Sequence, residues 1–394
     1  MKKQTQAIHL EYERRDAYDS LSVPVYNTLA YEFDNAAVMA EAFTDKIKAP
    51  DYSRVENPTV TNLERRVAAL TDAAHATAFN SGMAAISNTL MALAAQGKNI
   101  VTSKHLFGNT YALLVATLRR FGVKVRLRDL TNIETVREAI DDDTCCVFLE
   151  ILTNPQLEVA DLKAISEVAH EKNVPLVVDS TVIPFTQFSA KSLGVDIEVV
   201  SSSKYVSGGA TSLGGLVIDY GTPYNGDFAK RLYGEMLFNF GAYMTPQVAY
   251  MQTIGLETLD ARYRVQSSNA LELAKKLRSL PQIKLVNYVG LEDNPYHELA
   301  QRQFGKTAGA MICIDLESKE ACFSFLNNLK LIHRATNLFD NRSLAIHPAS
   351  TIFGAFSENM RKSMDVKDTT IRLSIGLEDV DDLFEDIKQA IDSL

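Results

Sequence analysis

The sequence predicts an α/β protein: a mostly parallel, seven-stranded sheet covered by helices on both faces, with an N-terminal arm and a smaller α+β C-terminal domain. Three observations carry this. Runs such as Cys145 to Ile151, Val174 to Asp179 and Ile197 to Ser201 are apolar at nearly every position instead of alternating, as in strands buried on both faces. Stretches of helical periodicity lie between the strand candidates from about residue 60 to 220, which is the spacing of crossover connections in a parallel sheet. Beyond about residue 250 the regular alternation stops.

In chain order, the first fifty residues are polar and aromatic with weak periodicity and read as an arm reaching a partner subunit, residues 1–55. A large domain is expected over 56–250. Leu63, Val67 and Leu70 share one helix face; Ala76 to Phe79 is a short strand; Gly82 to Ala95 is a helix rich in Ala, Met and Leu. Further strands are expected at Asn99 to Thr102, Val123 to Leu127, Cys145 to Ile151, Val174 to Asp179, Ile197 to Ser201 and Leu213 to Ile218, with helices at Tyr111 to Arg120 and Asp161 to Lys172. The C-terminal domain, 251–394, carries a helix from Tyr263 to Leu280 ending before Pro281, a strand from Ala310 to Leu316 and a final amphipathic helix from Val380 to Leu394.

Composition narrows the function class. The 394 residues carry a formal net charge of −9, which argues against a nucleic-acid or anionic-membrane binder. Neither a signal peptide nor a membrane-length apolar run is visible, so a cytoplasmic protein is expected. The four cysteines, Cys145, Cys146, Cys313 and Cys322, include no Cys-x-x-Cys pair and read as reduced thiols; no metal site is expected.

In parallel sheets ligands bind beyond the carboxyl ends of the strands. After Phe79 comes NSGMAA, where Ser81, Gly82 and Met83 open a helix whose free N–H groups suit a phosphate or simply an N-cap. The TNP turn presents Asn154, and VPLVVD ends in Asp179, a carboxylate emerging from an apolar strand that calls for a cation opposite. The strand from Ile197 delivers Ser201, Ser203 and Lys204, a string that alone would also suit a surface turn. One ligand uses all four ends. Pyridoxal 5′-phosphate would place its phosphate at Ser81, Gly82, Met83, Ser201 and Ser203, its ring nitrogen at Asp179, its phenolic oxygen at Asn154 and its aldehyde on Lys204 as a Schiff base.

From about Leu21 to Leu394, the motifs YSRVENPTVTNLERRVAAL, NSGMAA, LFGNTY, TNP, VVDST, SSSKYVSGG, HPAST and RLSIGLED resemble, in order, the Cys/Met-metabolism enzymes of the fold-type-I pyridoxal-phosphate class. That group includes cystathionine synthases and lyases, methionine γ-lyase and O-acetylhomoserine sulfhydrylase. The resemblance implies that Lys204 is both the cofactor lysine and the proton carrier, that Asp179 keeps the ring nitrogen protonated, and that Thr181 of VVDST is a cofactor contact. It implies that Tyr52 and Arg54 reach the phosphate in a neighbouring subunit, hence a homotetramer of two dimers with shared sites. Arg372 would hold the substrate carboxylate. Phe107 stands where the family more often has a ring-stacking tyrosine, so the stacking survives and the hydroxyl's acid–base role passes to Tyr52 or Lys204. Ile352 and Phe353 stand where Thr-His is usual.

Within the family, NLFDNRSLAIHPAS resembles the sulfhydrylases, with Asn337 and then Arg342 where cystathionine-handling enzymes and methionine γ-lyases tend to have Ser and Glu. Arg342 would make the pocket edge unwelcoming to a distal ammonium, and Ser343 beside it is expected among the substrate contacts. The expected reaction is γ-replacement on an O-acylated homoserine, most like O-acetylhomoserine with sulfide or methanethiol. The alternatives are γ-elimination on methionine or cystathionine, cystathionine γ-synthesis, and a catalytically silent assembly protein.

Overall fold

The computed structural model describes residues 1–10, 16–44 and 46–394; residues 11–15 and 45, which belong to the expected arm, lie outside the described residues. All seven expected strands form, their ends shifted by a residue or two: β1 His75–Phe79, β2 Asn99–Ser103, β3 Lys124–Arg128, β4 Thr144–Glu150, β5 Leu176–Asp179, β6 Ile197–Val200 and β7 Gly215–Asp219. They make one sheet in the order β1-β7-β6-β5-β4-β2-β3. Strands β2 to β6 pair in parallel, while β7 runs antiparallel to both β6 and β1.

The unbroken apolar runs have their expected cause. Val147 and Leu149 of β4 join one buried cluster with Leu176 and Val178 of β5. Their neighbours Cys146, Phe148 and Val177 join a second cluster with Ile197 and Val199. Successive side chains on a strand point to opposite faces, so a sheet with both faces covered is apolar at every position. The covering helices include α1 Pro58–Thr71, α2 Gly82–Leu93, α3 Leu162–His170 and α4 Pro246–Glu257. Helix α1 begins where Asn57 accepts the Thr59 N–H and Pro58 supplies a preset φ.

One local expectation differs from the structure. The segment expected as one helix from Tyr111 to Arg120 is a short α-turn at Gly108–Ala112, a π-turn at Leu113–Thr117 and a 3-10 turn at Leu118–Phe121 that stops at Gly122, φ 79°. These turns differ by about one residue in period, so an apolar pattern this short reads alike for all three. Residues 3–9 of the arm form a helix docked on their own chain. Lys3 donates to the Phe185 and Phe188 carbonyls at 3.2 and 2.9 Å, and Arg66 of α1 donates to the Ala7 carbonyl at 2.6 Å.

Helix α5, Leu259–Leu277, begins a turn earlier than expected and leads to a second sheet in the order β10-β11-β12-β9-β8. Its strands are β8 Leu285–Asn287, β9 Met311–Asp315, β10 His333–Arg334, β11 Leu344–Ile346 and β12 Thr370–Ser374. The terminal helix α6, Val380–Asp392, buries Leu383, Ile387 and Ile391 on one face. An aromatic cluster joins the two sheets: Tyr205, next to Lys204, stacks on Phe339 at 4.0 Å and meets Tyr263 of α5 edge-on at 5.2 Å. The Tyr263 hydroxyl accepts the buried Gly309 N–H at 3.1 Å. Replacing Tyr263 by Phe deprives that donor of this acceptor and should lower stability by about 1–3 kcal/mol in denaturant titration.

Candidate active site

A cavity of about 370 Å³ opens beyond the carboxyl ends of β4, β5 and β6, against the start of α2. Its wall includes Ser81, Gly82, Met83, Phe107, Asn154 and Asp179, and also Thr181, Ser201, Ser203, Lys204 and Arg372. Eleven residues singled out from the sequence therefore meet at one place.

The N-terminus of α2 is one end of this wall. Ser81 caps the helix, its hydroxyl accepting the Ala84 N–H at 3.1 Å. A Cβ on Gly82 would stand 2.6 Å from the Ser201 side chain, and one on Gly215 of β7 would stand 2.2 Å from the Ser81 carbonyl. Two glycines thus let the helix start seat against the end of β6, bringing free helical N–H groups beside the Ser201 hydroxyl. That donor set suits a phosphate. Ser203 differs from expectation in detail: its hydroxyl donates to the Gly214 carbonyl at 3.1 Å and accepts the Gly214 N–H at 2.9 Å. It lines the cavity while bracing the loop that follows Lys204.

Lys204 sits in the turn after β6, with its backbone N–H on the Ser201 carbonyl. The 3-10 turn beyond it closes at Gly208, φ 80°, where the chain passes so close to α4 that a Cβ on Gly255 would fall 2.0 Å from the Val206 carbonyl. The Lys204 ammonium donates to Asn337 Oδ1 at 2.8 Å. Burial, helped by the like charge of Arg372, lowers the lysine pKa to about 8. A neutral, nucleophilic amine is therefore accessible close to neutral pH.

Asp179 ends β5, its Oδ1 accepting the Thr181 N–H at 2.9 Å. The Thr181 hydroxyl in turn accepts the Ser201 N–H at 2.8 Å, tying β5 to β6. Burial raises the Asp179 pKa despite these bonds, so the carboxyl is matched to a cation facing it. Arg372 on β12 is fully buried, and burial lowers its pKa to about 10. It donates to Asn154 Oδ1 at 3.1 Å and to the Asn337 carbonyl at 3.3 Å, while its Nε has no partner among the described residues. A buried guanidinium aimed into a cavity with an unused donor suits a carboxylate. Phe107 lies on the wall, and the loop behind it packs against the segment that carries Ile352 and Phe353. A Cβ on Gly108 would approach the Ile352 carbonyl to 2.7 Å, and Phe353 is wholly buried beneath.

The remaining candidates lie elsewhere. Asn337 reaches the cavity through Lys204. Ser343 gives its hydroxyl to Glu378 at 2.9 Å and accepts the Gly376 N–H. The Arg342 side chain is 65% exposed, 3.6 Å from Asp340, and is absent from the cavity wall. Tyr52, 40% exposed, and Arg54, whose guanidinium lies 5.5 Å from the Tyr52 ring centre, are also outside this chain's own cavity. One residue of the site escaped the sequence analysis. Glu150, the last residue of β4, stands in register with Asp179, and burial followed by the Asp179 charge raises its pKa to about 8. The sequence signal is a carboxylate inside an apolar run: in FLEIL, Glu150 interrupts a stretch that continues through Ile151 and Leu152.

Known proteins place this geometry. The family model for Cys/Met metabolism PLP-dependent enzymes matches residues 4–392. The chain belongs to that family. Among the relatives of these PLP-dependent enzymes, an L-methionine γ-lyase of Fusobacterium nucleatum subsp. polymorphum is 37% identical over 99% of this chain and 98% of its own. An O-acetyl-L-homoserine sulfhydrylase of Corynebacterium glutamicum is 31% identical over 98% of this chain and 95% of its own. The crystal structure of a chain named as a putative O-acetylhomoserine (thiol)-lyase of Campylobacter jejuni superposes with a TM-score of 0.95 at 35% identity, covering all of both chains. That chain carries N′-pyridoxyl-lysine-5′-monophosphate. The fold is accordingly that of the fold-type-I enzymes, and the cofactor of the family is pyridoxal 5′-phosphate.

The Lys204 titration is directly measurable. Attachment of pyridoxal 5′-phosphate to the cofactor-free protein should rise with pH to half its maximum near 8, not near 10.5. Arg372→Met removes the like charge, the lesser cause, and should move the midpoint upward, followed by absorbance.

Proposed function

We propose that the protein catalyses γ-replacement on an O-acylated homoserine, O-acetylhomoserine with sulfide or methanethiol giving homocysteine or methionine and acetate. The observation that carries this reading is the distribution of charge in the cavity. The ionisable side chains on its wall are Lys204, Asp179 and Glu150 at or just beyond the ends of β4, β5 and β6 and Arg372 on β12, while Leu213, Thr336, Leu338 and Ile352 are uncharged. Once Arg372 takes an α-carboxylate, the described residues of the wall hold no further guanidinium for a second one. A distal ammonium or carboxylate, as in cystathionine or a succinyl ester, finds no partner there, whereas an acetyl ester or thioether is neutral.

Each residue has one task in this account. Lys204 attaches the cofactor and, once freed by substrate, carries protons between the substrate Cα and Cβ. Asp179 faces the ring nitrogen and holds its proton; Ser81, Gly82, Met83 and Ser201 cradle the phosphate; Phe107 lies against the ring; Asn154 serves the phenolic oxygen. Bound there, pyridoxal 5′-phosphate supplies an electron sink that makes acetate loss from Cγ and thiol addition possible. Arg372 fixes the amino acid so that its Cα–H faces Lys204. Tyr52 and Arg54 would complete the phosphate site of a neighbouring subunit in a homotetramer, which accounts for their place outside this chain's own cavity. No described helix is long and apolar enough to cross a membrane, and we place the enzyme in the cytoplasm.

The likeness to a methionine γ-lyase supports a second reading, γ-elimination to 2-oxobutyrate, ammonia and a thiol, since a thioether is as neutral as an acetyl ester. Incubating the holoenzyme with O-acetylhomoserine, with and without sulfide, separates the two. Homocysteine and acetate as main products under sulfide are expected, with turnover abolished in Lys204→Ala. Mostly 2-oxobutyrate and ammonia despite abundant sulfide would favour elimination.

A further inference from the structure

Glu150 does more than end a strand. Its Oε1 accepts the backbone N–H of Phe107, and its Oε2 accepts the backbone N–H of Asn154 at 3.2 Å. These donors belong to different loops: Phe107 opens the segment after β2, and Asn154 lies in the turn after β4 itself. Asn154 then accepts from Arg372 at 3.1 Å, Arg372 donates to the Asn337 carbonyl at 3.3 Å, and Asn337 accepts from Lys204 at 2.8 Å. One buried carboxyl therefore holds the Phe107 backbone with one oxygen and, with the other, stands at the head of a hydrogen-bonded series through Asn154, Arg372 and Asn337 to Lys204.

An apolar side chain would pack at this depth at lower cost, because burying a carboxyl is unfavourable unless its bonds are required. Both oxygens are used, and only a forked acceptor of this length spans the two loops. We infer that Glu150 is a positioning residue for the substrate: it fixes Phe107 against one side of the site and, through Asn154, sets the orientation of Arg372 toward the amino-acid carboxylate. The inference rests on the assignment of Arg372 to that carboxylate. The raised pKa of Glu150 agrees with a group held in place by the fold against its own desolvation and the charge of Asp179.

The test uses the holoenzyme, with glycine as an amino acid that has no γ-substituent to lose. Glycine binding is followed through the visible absorption of the cofactor, alongside KM and kcat for O-acetylhomoserine. Glu150→Gln keeps one acceptor and turns an NH2 toward the second backbone N–H; Glu150→Asp keeps the carboxyl but is one methylene too short to span both. Each variant should weaken glycine binding and raise KM about tenfold or more, as expected when a buried backbone N–H loses its acceptor, with a smaller change in kcat. If Arg372→Ala binds glycine as the parent does, the carboxylate assignment fails and this inference falls with it. If Arg372→Ala weakens glycine while a folded Glu150 variant binds it within twofold of the parent and loses only thermal stability, Glu150 is structural alone and the inference is overturned.

Discussion

The site depends on one constraint: four ionisable groups, each largely buried, line a single cavity. Removing a lysine, an arginine and two carboxyls from water is unfavourable for each in its charged form, and the shifts all run the way desolvation dictates. Lys204 and Arg372 repel one another, as do Glu150 and Asp179. Such a set is stable as part of a fold only where each member has hydrogen bonds and where a ligand of complementary charge completes the pattern. A cofactor with a cationic ring nitrogen, an anionic phosphate and an aldehyde, bound with an amino acid carrying a carboxylate, meets each of these demands in turn.

The fold supplies the rigidity this requires. Parallel strands buried on both faces bring Glu150, Asp179 and the Ser201–Lys204 turn to one edge, and Gly215 of the interior strand β7 lets the start of α2 approach. Arg372 comes from the other sheet. The aromatic contact of Tyr205 with Phe339 and Tyr263 means that the lysine turn and the C-terminal domain are packed together, so the geometry between Lys204 and Arg372 is set by a core and not by surface loops. Catalytic distances held this way are insensitive to loop motion, which is where preorganised electrostatics has its advantage.

Much of this was legible in the sequence, and for an identifiable reason. Strands apolar on both faces announce themselves, and a polar residue that ends such a run is conspicuous, which is how Asp179, Asn154 and Lys204 were found. Glu150 does not end its run, because Ile151 and Leu152 continue the apolar pattern, so the sequence does not mark the strand end at the glutamate. Hydrogen-bond commitments were not legible: nothing in SSSK tells that Ser203 turns to Gly214 while Ser201 stays beside the helix start. Arg342 was assigned to the pocket edge by its place in a motif, yet a single residue's direction after a tight turn is decided by backbone geometry that the motif does not encode. The docking of residues 3–9 rests on Lys3 and Arg66 meeting carbonyls from distant segments, and periodicity carries no information about such pairings.

The central claim, that position 204 is the covalent anchor of the cofactor, is tested most directly by chemical trapping. The protein loaded with pyridoxal 5′-phosphate is reduced with borohydride, digested and mapped by mass spectrometry. The account predicts the pyridoxyl group on the peptide containing Lys204 and essentially on no other; a label spread over surface lysines, with the Lys204 peptide unmodified, would contradict it.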